Sequence, residues 1–244
     1  MRASPRPVVV IACQALEELV RSVLPEQLPM TFLGYDLHTR PKEMAPALQA
    51  RIDALGEPSV VLLGYGLCGN GVVGVKAGRH VLVIPRTHDC IAIFLGSYQA
   101  YAERFRRDPR TFYLTKGWLE SGDGPLYDYR DYVEQYGQET ADYLIDTLYR
   151  HYHRICFVAF SDAELEQYRP QAMEVAQFCQ QRWGMVYEEV RGSDRLVNGF
   201  LSMPGRLDQG NEEFVVVPPG GEVSEGMFHR PDEGVAVGAN VRGR

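Results

Sequence analysis

A chain of 244 residues with 45% hydrophobic and 23% charged residues has the composition of an ordinary globular protein with a substantial core. That composition excludes a mainly disordered, collagenous or coiled-coil chain. The formal charge of −7, with basic residues scattered rather than gathered in a stripe, makes nucleic acid a poor partner. No apolar run approaches the ~20 residues that cross a bilayer, and the apolar stretch after Arg2 and Arg6 is too short for a signal peptide, so a cytoplasmic protein without a membrane partner is expected.

In chain order, Pro7 to Cys13 is a β-branched strand, and Leu16, Leu19, Val20 and Leu24 form a helical stripe that stops at Pro25. Met30 to Leu37 reads as a second strand, Pro41 opens a helix through Leu55 that Gly56 closes, and Ser59 to Leu63 is a third, fully apolar strand. Val81 to Ile84 is a fourth strand, followed by helical character from His88 to Phe105 with a break near Gly96 and Ser97. Phe112 to Leu114 is a short strand and Tyr127 to Tyr152 a long, tyrosine-rich helical stretch in which core packing is favoured over a ligand cleft or an oligomer face. Then come a strand from Arg154 to Phe160, a helix from Asp162, its expected cap, to Trp183, and a strand from Met185 to Val190. A Ser193 to Leu201 helix and a Phe214 to Val217 strand complete the series. Continuous apolar strands alternating with amphipathic helices imply an α/β, Rossmann-like fold: a mostly parallel sheet with helices on both faces. The expectation is a single domain over 1–217 and a loose, irregular tail over 218–244.

In an open parallel sheet, ligands bind beyond the carboxyl ends of the strands. Cys13 ends the first strand, His38 follows the second, Cys68 lies in a glycine-rich loop after the third, and His88 and Cys90 follow the fourth. All five fall on one edge. Thiolates and imidazoles at one point suit a soft or borderline metal, either zinc or a 4Fe-4S cluster, with three thiolates leaving one position open for substrate. Cys156, inside an apolar strand, and Cys179, on an apolar helix face, read as core filler.

Gly69-Asn70-Gly71-Val72-Val73-Gly74 matches the spacing of a dinucleotide fingerprint, but about twelve residues to the next strand is far short of the usual ~30-residue unit. Gly66, Gly69, Asn70 and Gly71 are instead expected to bring the backbone close to a metal or a small anionic ligand, with Arg86 as its charge partner. Thr115-Lys116-Gly117-Trp118-Leu119-Glu120 reads as a loop in which Trp118 walls a pocket or closes an apolar edge while Lys116 or Glu120 titrates.

The runs Tyr65-Gly66-Leu67-Cys68-Gly69-Asn70-Gly71, Pro85-Arg86-x-His88-Asp89-Cys90, Leu95-Gly96-Ser97 and Tyr113-Leu114-Thr115-x-Gly117-Trp118 resemble those of a bacterial and archaeal family of unknown function. Its members often accompany genes for corrinoid-dependent methyl transfer. The likeness covers roughly Val8 to Gly199 and departs from the pattern at Arg110, where a small residue is expected. It implies a Rossmann-like domain near one-carbon or methylamine chemistry.

The leading expectation is a metal-dependent enzyme of methyltransferase type acting on a small-molecule thiol. Cys68, Cys90 and either Cys13 or a histidine, His38 or His88, hold zinc, which binds the substrate thiol as thiolate. Asp89 orients a histidine ligand, and Arg86, Lys116 and Glu120 line the substrate pocket. The alternatives are an iron–sulfur enzyme using the same cysteines, a non-catalytic metal- or corrinoid-handling protein serving a methyltransferase or corrinoid protein, and a metal-free thiol enzyme in which His88 activates Cys68 or Cys90.

Overall fold

The computed structural model describes residues 6–38, 40–207 and 212–230, except for the side chain of His38. The chain divides into two compact units, one containing residues 6–100 and 193–230, the other Tyr101–Gly192. The mostly parallel α/β reading holds, with the strands distributed over two sheets, one in each unit.

The first unit runs β1 (Val8–Cys13), α1 (Glu17–Val23), β2 (Met30–Leu33), α2 (Pro41–Asp53), β3 (Val60–Gly64), β4 (Val81–Pro85) and α3 (Ile91–Phe94). The chain continues through α4 (Tyr98–Arg107), whose residues from Tyr101 belong to the second unit. There follow β5 (Thr111–Thr115), α5 (Lys116–Ser121), α6 (Pro125–Tyr136), α7 (Gln138–Tyr149), β6 (Arg154–Ala159), α8 (Asp162–Trp183) and β7 (Val186–Arg191). The first unit resumes with α9 (Arg195–Ser202) and β8 (Phe214–Val217).

The first sheet has the order β2-β1-β3-β4-β8, parallel except for β8, which pairs antiparallel with β4. Strands β3 and β4 are buried on both faces, which is why they read as continuous apolar runs. On one face Val9, Ile11, Val61 and Leu63 pack with Met44, Leu48 and Ile52 of α2, so the apolar stripe of that helix and alternate strand residues meet in one layer. The second strand ends at Leu33 rather than Leu37, because Tyr35–His38 turns into a 3-10 helix that hands the chain to α2.

The second sheet, β5-β6-β7, is wholly parallel. The tyrosine-rich stretch forms two helices, not one, because Gly137 at φ 80° supplies a turn that other residues adopt at a cost. Of its tyrosines, Tyr149 is buried and donates to Asp128 at 2.6 Å, whereas Tyr136 and Tyr143 are exposed. Ser161, one residue before the expected Asp162, caps α8. Its Oγ accepts the Glu164 N–H at 2.9 Å, while the Glu164 carboxylate accepts the N–H of Phe160, the residue before the cap, at 2.8 Å, so both residues tie down the start of the helix.

The segment after β8 is irregular, as expected, but it is not loose as far as residue 230. Val223 and Phe228 are each 1% exposed in the core, and Lys76 and Glu222 form an antiparallel bridge. Residues 231–244 of the expected tail lie outside the described residues. No helix among the described residues is long and apolar enough to cross a membrane.

Candidate functional site

The strand order reverses between β1 and β3: from β1 the chain moves to one neighbour, β2, and then back across to the other, β3. In an open parallel sheet this switch point opens a crevice beyond the carboxyl ends of the two strands. Cys13 is the last residue of β1, and Tyr65 follows the last residue of β3. Cys13, Tyr65 and Cys68 all pack against the α2-side core layer.

The loops after β3 and β4 continue the pairing of their strands. The Leu67 N–H donates to Thr87 O and the Cys68 N–H to His88 O, each at 2.8 Å. This zipper brings the Cys68 loop beside the His88-Asp89-Cys90 turn. It needs glycine at position 66, where a Cβ would stand 2.7 Å from Thr87 Oγ1 and 2.9 Å from the Asp89 main chain. Cys68, Gly69 and Asn70 then take φ values of 48°, 62° and 65° in succession. A cysteine in the left-handed region is strained, and such strain gathers at functional sites. The Gly71 N–H closes the turn onto Cys68 O at 3.1 Å, and no helix follows Gly69 to Gly74, so the fingerprint spacing has no dinucleotide-binding geometry behind it.

Cys13 and Cys68 are half-buried, Cys90 is buried, and all three thiols are free. Burial pushes Cys13 up to about 11, opposed by the Ala15 main-chain hydrogen bond and aided by Asp36. Burial pushes Cys68 up to about 12, with Asp89 and Cys13 adding to the rise, and holds Cys90 well above its ordinary value, with Cys68, Asp89 and Cys13 adding to it. Cys13 thus bears on Cys68, and Cys13 and Cys68 on Cys90, and the protonated thiol is the resting form of all three. Tyr65 is raised too, by burial first and then by the same three sulfurs. Among the described residues no group of three or more His, Cys, Asp or Glu side chains is placed so that it could hold a metal ion.

Of the other expected site residues, Asp89 accepts the Ile91 N–H at 2.9 Å and so holds the turn that carries Cys90. The His88 ring lies 6.0 Å from that of Tyr98. His38 ends the 3-10 turn after β2, and its side chain lies outside the described residues. Arg86 is half-buried and reaches Phe214 O at 3.5 Å, while its own carbonyl accepts from Arg230 at 3.2 Å, a residue of the segment expected to be loose.

Lys116 and Glu120 belong to the second unit, in helix α5 where a loop was expected. They stand 3.9 Å apart, Tyr168 donates to Glu120, and the Lys116 ammonium lies 5.5 Å from the Tyr168 ring centre. Trp118 is buried, as the closed apolar edge requires. The structure joins the glycine-rich Cys68 loop to the turn that carries Asp89 and Cys90, and Lys116 and Glu120 fall in the other unit. Cys156 and Cys179 are fully buried filler, with Arg104 donating to Cys156 Sγ at 3.5 Å.

Sequence reasoning missed Tyr65 as a site residue. The signal was there, a hydroxyl-bearing aromatic between Gly64 and Gly66 at the end of an apolar strand, where bulk is otherwise avoided.

No curated protein and no solved structure matches the chain. A family model described as "Protein of unknown function (DUF1638)" matches residues 32–196, a span that includes Cys68 and Cys90 but not Cys13. The match covers more than half of the chain, so the protein belongs to the DUF1638 family.

Proposed function

We propose that the first unit is a metal-dependent catalytic domain in which Cys13, Cys68 and Cys90 hold zinc, with a substrate thiol at the fourth position as thiolate. The observation that carries this reading is the placement of Cys13, Cys68 and Cys90 at or after the carboxyl ends of the neighbouring parallel strands β1, β3 and β4, with the Cys68 loop hydrogen-bonded to the turn that carries Cys90. The charges that push these thiols up when they lose protons become favourable once a divalent cation sits among them. Without a metal, thiols protonated at neutral pH are poor nucleophiles, which disfavours the metal-free thiol enzyme.

Cys68 and Cys90 with Cys13, or with His38 or His88 in its place, would hold the zinc and leave one position for substrate. Zinc held there would lower the pKa of a substrate thiol, whose sulfur could then take a methyl or other one-carbon group from a donor that would leave with the electron pair of the broken bond, the thiol proton going to solvent. A corrinoid protein or methyltransferase is the proposed methyl partner, and a reducing compartment such as the cytoplasm keeps the cysteines available. Gly66, Gly69, Asn70 and Gly71 let the loop approach the metal, and Arg86 attracts an anionic group on the substrate.

Metal uptake must displace thiol protons, so affinity rises with pH towards the values near 11 and 12 of Cys13 and Cys68. The deciding experiment is elemental analysis with an absorption spectrum on protein purified without oxygen. About one zinc per chain with no visible band is the expected result. Iron with sulfide and a broad brown absorbance would replace zinc by a 4Fe-4S cluster on the same cysteines. Zinc without methyl transfer to any thiol would turn the protein into a metal- or corrinoid-handling accessory. Neither metal on folded protein would overturn both metal readings.

A further inference from the structure

A cleft of about 490 Å³ opens in the first unit between α2 and the chain over 73–78, a volume within the range of small-molecule sites. Asp53 leads on to the amino end of β3 and Gly78 to that of β4, so the cleft extends towards the opposite edge of the sheet from Cys13, Cys68 and Cys90. Its walls are held by hydrogen bonds. Gln49 Oε1 accepts the Lys76 N–H at 2.8 Å, and its amide nitrogen donates to Lys76 O at 3.2 Å and to Asp53 Oδ1 at 2.8 Å. The segment over 221–223 clamps the same stretch: the Gly74 N–H donates to Val223 O, and the Ala77 N–H to Gly221 O, each at 2.9 Å. Gly74 and Gly78 take φ values of 88° and 55°, and a Cβ at either would meet nothing within 4 Å. Pro46 stands inside α2, where it gives up a helical hydrogen bond, and with Val73 it supplies an apolar wall.

Two opposite charges line this cleft without joining each other. Asp53 gives one oxygen to Gln49 and forms no ion pair among the described residues. The Lys76 ammonium forms none either, even with Glu222, which stands opposite Lys76 in the antiparallel bridge. A simple anion in the cleft would be repelled by Asp53 and a simple cation by Lys76, whereas a molecule that carries both charges satisfies both. We infer that the cleft binds a small zwitterion, an amino acid with an apolar side chain. Its ammonium group meets Asp53, its carboxylate meets Lys76, and its side chain lies against Pro46 and Val73. Charge-assisted hydrogen bonds at both ends fix its orientation, and the clamped walls keep the ordering cost of binding low. The site depends neither on the thiols nor on a metal.

The test is titration of the full chain with L-leucine, followed through backbone amide chemical shifts. Two analogues that each lack one charge run beside it: leucinamide, without the carboxylate, and 4-methylpentanoate, without the ammonium. L-leucine is expected to bind saturably with a dissociation constant of about 1 mM and to shift Gln49, Lys76 and Gly78. Each analogue should bind about tenfold more weakly, the worth of one charge-assisted hydrogen bond at an exposed site. Lys76→Gln should weaken L-leucine about tenfold and abolish its advantage over leucinamide. Asp53→Asn, which keeps an oxygen for Gln49, should do the same for its advantage over 4-methylpentanoate. Both substitutions remove exposed charges, so thermal unfolding should match wild type, and the two analogues decide the matter on wild type alone if a variant fails to fold. No saturable shift with L-leucine up to about 10 mM overturns the inference. So does an analogue that binds as tightly as L-leucine, and so does L-leucine binding that neither substitution weakens.

Discussion

At the carboxyl ends of β1, β3 and β4 the first unit presents three protonated thiols and the buried Tyr65 hydroxyl, whereas the second unit sets charge against charge. In the second unit Glu188 accepts from Arg104 at 2.8 Å and from Arg154 at 2.9 Å, and Arg182 bonds Asp142 and Asp146 at 2.7 Å each. Arg169 holds Glu189 through two nitrogens, at 2.9 and 3.1 Å. Removing one partner of such a pair leaves an uncompensated charge and is costly. The thiols of the first unit have no such charge partners among the described residues, and burial holds all three in the neutral form. The contrast is between polar groups whose opposite charges meet within the fold and polar groups that burial keeps neutral.

The sharpest test of the contrast is Cys90→Ala, which should separate metal affinity from stability. Structural zinc binds with about 10–16 kcal/mol over its ligands, so loss of one of three thiolates costs about 3–4 kcal/mol of affinity. Competition with a chelator should read this as a drop of two to three orders of magnitude. Because the thiol is a small group, thermal unfolding of the metal-free chain should change far less.

In the second unit the order is reversed. Glu188→Gln leaves two guanidinium groups sharing a neutral amide and should cost about 3 kcal/mol in denaturant unfolding, with metal content untouched. Burial raises the Glu188 carboxyl, but the Arg104 hydrogen bond and the charges of Arg104 and Arg154 more than reverse this, leaving it below its ordinary value. Its contribution is therefore present above the unfolded pKa of about 4.3 and is lost as pH falls through the lower folded value. Wild type should lose stability in acid over that window, and the glutamine variant should lack that part of the loss.

Gly66→Ala tests whether the two loops of the first unit are as tightly joined as their hydrogen bonds imply. The added methyl would meet Thr87 Oγ1 at 2.7 Å and the Asp89 main chain at 2.9 Å, so the zipper must open. Overpacking of this kind costs about 1–3 kcal/mol. It should also weaken zinc binding, because Cys68 and Cys90 are carried by the loops that separate.

Much of this was legible in the sequence because the first unit obeys local rules. Apolar runs over Val8–Cys13, Val60–Gly64 and Val81–Pro85 are strands buried in a parallel sheet, and their ends dictated where Cys13, Cys68 and Cys90 lie. What failed depended on distant contacts. Burial of Val223 and Phe228 arises from packing across the chain, and nothing in the Gly- and Pro-rich segment around them has a period. The second sheet was hidden for a similar reason: strand pairing is long-range, and β5 looks like any other short apolar run. One clue was available, since α5, α6 and α7 all lie between β5 and β6, more chain than a single crossover needs. The loop reading of Thr115–Glu120 failed because six residues show too little periodicity to mark a helix, although Gly117 is buried inside a short one that Gly122 ends at φ 69°.

The smallest expected effect bears most directly on where catalysis sits. Lys116 and Glu120 form an i,i+4 pair at 3.9 Å, 29% and 43% exposed, and such pairs contribute at most about 0.5 kcal/mol. Lys116→Met should leave unfolding nearly unchanged and zinc content unaltered, because the pair and Tyr168 lie in the second unit and none of the three thiols does. A thiol-methylation assay on the zinc-loaded protein then decides between the two regions. Activity equal to wild type leaves the reactive chemistry with the first unit. A large loss of kcat at unchanged zinc affinity and stability would give Lys116 the catalytic role its sequence motif suggested, and the division between a reactive unit and a structural one would fall.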